Sequence, residues 1–173
     1  MVPRMSLANI TRTTTSIDPD AERILRSLPQ WFGDEKSLDQ YVRDTSLYPT
    51  FVATVDDKIS GFITVKQPFP ASAEIHCMAV EASSRGQGLG RELVDHAKAW
   101  ATAAGSRFLQ VKTLAESHPS PEYAQTRAFY VAMGFVPLEV FPELWSRHNP
   151  CLQMMLYLPP TLHCAPSSTP TSD

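Results

Sequence analysis

The feature that most constrains what this chain can fold into is a glycine-rich hexapeptide near its centre, Arg85-Gly86-Gln87-Gly88-Leu89-Gly90. An apolar run at residues 75–80 precedes it, and an amphipathic run at residues 89–104 follows it. Glycines allow positive φ angles and a close approach of a ligand to the backbone, and the free N–H groups and dipole of a helix N-terminus attract anions. The pattern therefore predicts a strand-to-helix corner that binds a pyrophosphate, rather than a plain tight turn, which needs only one or two glycines.

The spacing of these glycines excludes two common phosphate-binding motifs. A Walker A loop ends in Gly-Lys-Ser/Thr, whereas Gly90 is followed by Arg91 and Glu92, so the phosphate lysine and the magnesium-binding hydroxyl are lacking. A dinucleotide fingerprint would need a glycine at position 91. What remains, Arg85-x-x-Gly88-x-Gly90, resembles the acetyl-CoA signature Gln/Arg-x-x-Gly-x-Gly/Ala of the GNAT N-acetyltransferase superfamily.

A second motif lies downstream, where residues 126–135 read as a helix that ends at Gly134 and leads into an apolar strand, because glycine suits the left-handed position after a helix end. The segment resembles the GNAT pattern Phe/Leu-Tyr-x-x-x-Gly-Phe, in which the tyrosine faces the sulfur of coenzyme A. Tyr130 matches that tyrosine, although an isolated tyrosine would be read as a core aromatic. Many GNAT helices carry an asparagine seven residues before this tyrosine, and that asparagine contacts the pantetheine arm of coenzyme A. In this chain the corresponding residue is Tyr123, which could offer a hydroxyl to the pantetheine arm or pack against it.

Glu74 begins the predicted strand that precedes the glycine corner. Histone-acetyltransferase members of the superfamily have a catalytic glutamate at the same offset before the signature arginine, so the resemblance implies that Glu74 is a general base. The alternative is a strand-edge carboxylate in water. Glutamate is a poor strand former and costly to bury, so a buried Glu74 should have a compensating partner. Because this strand is bulged in the superfamily, we do not expect regular alternation along its whole length.

Length and composition favour one domain without a membrane or nucleic-acid partner. The 173 residues are enough for one core, and we assign residues 1–160 to that domain and the Pro/Ser/Thr-rich residues 161–173 to a disordered tail. No apolar run has the length of a membrane span and the first residues lack a secretory segment, so a cytoplasmic location is expected. The net charge of −3 argues against a general nucleic-acid binder. Three cysteines and five histidines are too scattered for a metal site.

The order of predicted elements is that of the GNAT fold, an α/β (α+β) architecture with a mixed, mostly antiparallel central sheet and helices on both faces. The resemblance spans about residues 10–158 and implies acetyl-CoA as cosubstrate and a homodimer as the assembly. Strands are predicted at residues 51–55, 59–65, 74–80, 107–113, 135–140 and 152–158. The residues expected to contact acetyl-CoA are Met78, Ala79, Val80, Arg85, Gly86, Gln87, Gly88, Leu89, Gly90, Arg91 and Tyr123.

The resemblance implies acetyl transfer to a primary amine by direct attack in a ternary complex. Glu74, directly or through a water, would accept the amine proton. Backbone N–H groups of residues 78–80, free where the strand splays from its neighbour, would bind the pantetheine amide and the thioester oxygen. Tyr130 would protonate the leaving thiolate, since a phenol is protonated at pH 7.

The acceptor amine is not specified by the sequence, and both a small molecule and a protein or peptide are compatible with it. Aromatic residues 31–32, the loop at residues 116–121 and the region around Trp145 are expected to frame its site. Two other functions stay open. One is a catalytically silent acetyl-CoA-binding sensor or scaffold. The other is a hydrolase built on Cys77 and His76, which is disfavoured because adjacent residues of a regular strand face opposite ways.

Overall fold

The computed structural model describes residues 8–160, which form one seven-stranded sheet and four α-helices. The strands are β1 (Asn9–Arg12), β2 (Thr50–Val55), β3 (Lys58–Phe69), β4 (Ser72–Val80), β5 (Phe108–Leu114), β6 (Val136–Ser146) and β7 (Asn149–Tyr157). The helices are α1 (Asp18–Arg26), α2 (Glu35–Leu47), α3 (Leu89–Ala103) and α4 (Pro121–Ala132). The tail from Thr161, with its predicted disorder, lies outside the described residues.

The sheet order is β1-β2-β3-β4-β5-β7-β6. All neighbouring strands are antiparallel except β4 and β5, which are parallel because α3 connects them. The predicted mixed, mostly antiparallel sheet is therefore confirmed. None of the helices within residues 8–160 is long and apolar enough to cross a membrane.

Helices cover both faces of the sheet, as predicted. On one face α3 and α4 bury a core that includes Leu93, Val94 and Phe135. On the other face α1 and α2 bury a second core that includes Ile24 and Leu38. The second core is formed with residues of β2, β3 and β4, and no residue of β5, β6 or β7 belongs to it. The α1–α2 side of the sheet beyond β4 is therefore available to a cavity.

The strands β4 and β5 separate part-way along their length. They pair only from Ser72 to Ile75 on β4, opposite Phe108 to Val111 on β5. From His76 onward, the edge of β4 that faces β5 has no strand partner within the described residues. The sheet therefore opens into a V at this point, in agreement with the prediction that this strand separates from its neighbour.

A β-bulge lies at His76, where the splay begins. On β3, Thr64 pairs with Cys77 while the next residue, Val65, pairs with Ile75, so that His76 is the extra residue. Ile75 accordingly packs in the α3–α4 core, whereas Cys77 packs in the α1–α2 core. The bulge expected from the resemblance is present. Because of the extra residue, Ile75 and Cys77 face opposite sides of the sheet, although residues two apart in a regular strand face the same side.

The C-terminal hairpin is longer than the sequence predicts. β6 runs to Ser146 instead of ending at residue 140, and it contains Pro137 and Pro142. β6 pairs only with β7 and forms the edge of the sheet. Proline lacks a backbone N–H, but an edge strand has a row of donors without a partner and can omit some of them.

Candidate active site

The glycine corner joins β4 to α3 through a short 3₁₀ turn at Ala82–Ser84. Gly86 and Gly88 have φ angles of 75° and 86°. Glycine adopts such positive angles without strain, whereas a residue with a side chain rarely does. Gly88 is the residue before α3, and no side chain caps the N–H groups of the first turn. The corner therefore presents free N–H donors and the positive end of the helix dipole.

Gly90 lies where α3 packs against α4. A Cβ atom at this position would lie 3.4 Å from the Phe129 ring. That distance is an ordinary van der Waals contact, and residues of α3 and α4 together line a cavity beside the corner.

This cavity, which we call the cofactor cavity, has a volume of about 420 Å³. Most of the predicted acetyl-CoA contacts line it: Met78, Ala79, Val80, Arg85, Gly86, Gly88, Leu89, Gly90 and Arg91. Gln87 does not line it, and its amide lies 3.5 Å from the carbonyl of Ser83. The cofactor cavity therefore extends from the unpaired end of β4 to the first turn of α3.

A second cavity of about 460 Å³, which we call the acceptor cavity, lies on the α1–α2 side of the sheet. Its charged lining residues are Glu74, Lys66 and Lys112. Its aromatic lining residues, apart from Tyr130, are Trp31, Phe32, Tyr41, Tyr123 and Trp145. The expected contributions of residues 31–32 and Trp145 agree with this arrangement, whereas no residue of the loop 116–121 lines either cavity.

The two cavities meet at a shared wall. Five residues line both: Trp31, Phe32, Met78, Thr126 and Tyr130. The indole Nε1 of Trp31 donates a hydrogen bond to Thr126 Oγ1 at 3.1 Å, which ties the segment after α1 to α4. A molecule that reaches from the glycine corner to this wall therefore contacts whatever occupies the acceptor cavity.

Tyr130 is 4% exposed and lies at this shared wall. Its ring packs edge-on against Phe129 and Phe135 at centroid distances of 5.3 Å. Burial raises the pKa of Tyr130, so the phenol keeps its proton in neutral and mildly alkaline solution. Tyr130 can therefore be both a core aromatic and the residue expected to face the sulfur of coenzyme A. Its ring is packed in the core, while the residue still borders both cavities.

Glu74 has the compensating partner that its burial requires. Its carboxylate lies 2.9 Å from the ammonium of Lys112, and its side chain is 18% exposed. Glu74 also lies directly opposite Lys66 in the β3–β4 register. The predicted base is therefore in the acceptor cavity, where its carboxylate is paired with Lys112.

A buried cluster around Asp44 was not predicted. Asp44 lies on α2 and is 2% exposed. Its carboxylate contacts His76 Nε2 at 2.6 Å, Lys66 Nζ at 3.4 Å and the Gln40 amide at 2.8 Å. Burial alone would raise the pKa of Asp44, but these hydrogen bonds and the Lys66 charge outweigh it and lower the pKa. Asp44 is therefore ionised and holds His76 at the edge of the acceptor cavity.

Tyr123 departs from its predicted position, whereas Cys77 agrees with the low weight given to a cysteine hydrolase. Tyr123 lines the acceptor cavity instead of the cofactor cavity, and its hydroxyl donates to the backbone carbonyl of Trp31 at 3.1 Å. Cys77 is buried, and burial raises the pKa of its thiol. A protonated, enclosed thiol is a poor nucleophile, which disfavours the hydrolase alternative. Within residues 8–160, no group of three metal-ligating side chains occurs.

Comparison with known proteins decides the family. The family model described as the acetyltransferase (GNAT) family matches residues 15–135. The chain belongs to the GNAT acetyltransferase family. A search of curated proteins returned no match.

Solved structures share the GNAT fold over most of their length. A GNAT-family protein from Desulfovibrio desulfuricans has a TM-score of 0.78 at 19% identity, with 88% of this chain and 100% of that one covered. The ribosomal-protein-S18-alanine N-acetyltransferase from Escherichia coli has a TM-score of 0.70 at 20% identity, covering 88% and 94%. A GNAT acetyltransferase from Elizabethkingia anophelis with acetyl-CoA bound has a TM-score of 0.66 at 18% identity, covering 87% and 98%. Acetyl-CoA is the cosubstrate of this GNAT chain.

Proposed function

We propose that this GNAT chain is an N-acetyltransferase that transfers the acetyl group of acetyl-CoA to a primary amine by direct attack in a ternary complex. The observation that carries the proposal is the wall shared by the two cavities. A cofactor seated on the glycine corner reaches Tyr130 from one side, and an amine in the acceptor cavity reaches it from the other. Direct attack needs this juxtaposition, because both substrates must be bound at once.

The cofactor would bind with its pyrophosphate at the first turn of α3, where Arg85 and Arg91 add positive charge to the free N–H groups. Its pantetheine arm would follow the edge of β4 that β5 leaves unpaired. Alternate residues between Met78 and Val80 direct N–H groups to this edge, since the others pair with β3. One of these donors would bind the thioester oxygen and stabilise the negative charge that develops on it.

Tyr130 would protonate the thiolate as it leaves. A phenol with a pKa raised by burial is fully protonated at neutral pH and has a proton to donate. The thiol has a reference pKa of about 8.5, below that of the phenol, so Tyr130 chiefly donates a hydrogen bond that stabilises the charge on the departing sulfur. Full transfer of its proton requires that the phenol is reprotonated at the same time.

Glu74 is the carboxylate of the acceptor cavity and has two candidate roles. It either accepts the proton of the amine, directly or through a water, or binds the acceptor in its ammonium form. Its contact with Lys112 leaves part of the carboxylate free to accept hydrogen bonds, because each oxygen has two lone pairs.

The test of the proposed function is thiol release from acetyl-CoA with a panel of amines that contains amino acids, polyamines, aminoglycosides and peptides with a free N-terminus. We expect release that depends on one class of amine and saturates with it. Calorimetry on the same protein measures acetyl-CoA binding. If acetyl-CoA binds at one site while no amine causes release, the chain is the sensor or scaffold module instead.

We also propose that the chain forms a homodimer through β6. Val136, Leu138 and Val140 are 59%, 55% and 46% exposed along this edge strand, and exposed apolar residues clustered on an edge strand favour association. Sedimentation should give a dimer that Leu138→Lys dissociates. Val131→Lys, at a position equally exposed on α4, should stay dimeric, and a monomeric unmodified chain would contradict the proposal.

A further inference from the structure

His76 is the first residue of β4 beyond its pairing with β5, and it occupies the bulge. Its side chain lines the acceptor cavity and is 16% exposed. Met78, a residue of the wall between the two cavities, lies two positions further along the strand. The imidazole is therefore placed where an amine would approach the thioester.

We propose that His76, held in position by Asp44, accepts the proton released by the acceptor amine, and that Glu74 binds this amine without deprotonating it. The inference rests on the proposed acetyl transfer and assigns its base. It makes His76 a catalytic residue and Asp44 a positioning residue.

The hydrogen bond between His76 and Asp44 fixes which imidazole nitrogen is free. An ionised carboxylate only accepts hydrogen bonds, so at 2.6 Å from it Nε2 must carry a proton. In the neutral ring Nδ1 then has the lone pair, and no described residue donates a hydrogen bond to it. This is the arrangement in which a carboxylate orients a histidine so that its other nitrogen can act as a base.

The surroundings of His76 keep the ring neutral. The charged and titratable groups that face it are Asp44, Tyr41 and Tyr48 from α2 and its C-terminal end, Lys66 from β3 and Glu74 from β4. Burial lowers the pKa of His76 and the Lys66 charge lowers it further, and together these outweigh the opposite effect of Asp44 and Glu74. Burial raises the pKa of Tyr41, which stays uncharged. An imidazole that is unprotonated at pH 7 can accept a proton.

An imidazole is also the more suitable base of the two. The conjugate acid of an ordinary imidazole has a pKa about two units above that of an ordinary carboxyl group, which makes the imidazole the stronger base. An alkylamine, with a pKa near 10, is difficult to deprotonate, so the stronger base has the advantage. Glu74 is held by Lys112 through one carboxylate oxygen at 2.9 Å, and its remaining lone pairs can accept a hydrogen bond from an ammonium ion.

The step is balanced without any further reagent. The ammonium loses one proton to Nδ1 of His76, and the nitrogen lone pair attacks the acetyl carbon. The C–N bond forms and the C–S bond of the tetrahedral intermediate breaks, with its electron pair passing to the sulfur. Tyr130 passes its proton to the sulfur and regains one through water from the attacking nitrogen, which must lose a second proton to become an amide. The imidazolium releases its proton to water, so the products are the amide, the free thiol and one proton.

The first test compares kcat/KM across pH 5.5 to 9.5 for the unmodified enzyme, His76→Gln, Glu74→Gln and the control His96→Gln, an exposed histidine on α3. The unmodified enzyme should lose activity as the pH falls and His76 becomes protonated. His76→Gln should lose about 10²- to 10⁴-fold at neutral pH, and its residual rate should rise with pH as the amine deprotonates unaided. Glu74→Gln should raise the KM for the amine while keeping the acid limb. Loss of the limb in Glu74→Gln and its retention in His76→Gln would overturn the proposal.

The second test uses the two neighbours that influence the imidazole in opposite directions. Asp44→Asn removes the carboxylate charge that raises the pKa of His76, and Lys66→Met removes the ammonium charge that lowers this pKa. The acid limb, and the His76 titration followed by NMR, should therefore move to lower pH in Asp44→Asn and to higher pH in Lys66→Met. Asp44→Asn should also reduce kcat by at least about 10-fold, because the ring loses its orientation. Shifts in one common direction would contradict the arrangement.

The outcomes separate this inference from the proposed function. Absence of acetyl transfer in the unmodified chain with every amine would refute the proposed function, while the NMR titration still measures the coupling of His76 to Asp44 and Lys66. Amine-dependent transfer with an unchanged pH profile in a folded His76→Gln variant that still binds acetyl-CoA would refute the role of His76 alone.

Discussion

The guanidinium of Arg85 lies 4.5 Å from the centre of the Trp31 ring. Arg85 belongs to the glycine corner, while Trp31 borders the acceptor cavity and bonds to Thr126 of α4. The stack connects the place where the pyrophosphate is expected to bind with the wall that both substrates share. It also holds the arginine near the corner before any ligand arrives, which reduces the ordering that binding requires.

Trp31→Leu should therefore weaken acetyl-CoA binding. An unstacked Arg85 must be immobilised when the cofactor binds, at a cost of about 0.5–1.5 kcal/mol for one long side chain, or roughly a 2- to 13-fold higher Kd. Calorimetry measures this change directly. Trp145→Leu is the matched control, because Trp145 lines only the acceptor cavity; it should change the KM for the amine and leave the acetyl-CoA Kd unaltered. Equal effects of the two variants on that Kd would refute the connection.

Gly88→Ala should abolish acetyl-CoA binding, and the loss of affinity should be larger than the strain of an alanine at this φ angle can explain. Gly88 and Gly105 stand at opposite ends of α3, with φ angles of 86° and 84° and open space where a Cβ atom would lie. Alanine at either position costs about 1–2 kcal/mol of stability, because an L-residue is strained there. Thermal unfolding should thus show a similar loss for Gly105→Ala, whereas only Gly88→Ala should lose the cofactor. A Gly88→Ala protein with unchanged affinity would show that the pyrophosphate binds elsewhere.

The parts of the site that the sequence predicts are those fixed by neighbouring residues. The glycine corner and the end of α4 at Gly134 follow from positive φ angles, which glycine adopts without strain. Its spacing to that glycine places Tyr130 on the last turns of α4, and the structure puts the residue on the wall that both cavities share. Each of these features is contained within about ten residues of chain, so one sequence is enough to predict its local conformation.

The parts that were missed depend on contacts between distant residues. Asp44 on α2 reads as a solvated helix residue, and only packing of α2 against the sheet brings it to His76. Tyr123 was placed on the cofactor side from its offset to Tyr130, but its hydroxyl bonds to the carbonyl of Trp31. The length of β6 was underestimated because its prolines predict a break, whereas an edge strand tolerates them.

Folding stability should decrease on acidification because Asp44 and His76 both have lower pKa values in the folded chain than in the unfolded chain. The folded state lowers the pKa of both groups, so the unfolded chain takes up these protons at higher pH than the folded chain. The stabilisation is complete above the unfolded imidazole pKa of about 6.5 and is lost as the pH falls through the folded values. Urea unfolding between pH 4 and 8 measures the decline. His76→Gln should remove the part that begins near pH 6.5, and His96→Gln should keep it; the same decline in both variants would assign it to other groups.

Tyr130→Phe should lower kcat and leave both stability and cofactor affinity close to those of the unmodified chain. Within the described residues the Tyr130 hydroxyl makes no hydrogen bond, so its removal breaks no contact of the folded state, and the ring can still pack against Phe129 and Phe135. A positioned proton donor contributes typically about 10²- to 10⁴-fold to the rate, and loss of an interaction made in the transition state lowers kcat without raising KM. Tyr123→Phe is the matched control, because it removes a hydroxyl that bonds to the Trp31 carbonyl and should affect acceptor binding more than kcat.

Because the pKa of Tyr130 is raised by burial, the phenol is protonated throughout the assay range. The activity ratio of Tyr130→Phe to the unmodified enzyme should therefore stay constant from pH 6 to 9. A wild-type kcat in Tyr130→Phe would mean that the residue only packs, and that the thiolate leaves without a protein donor.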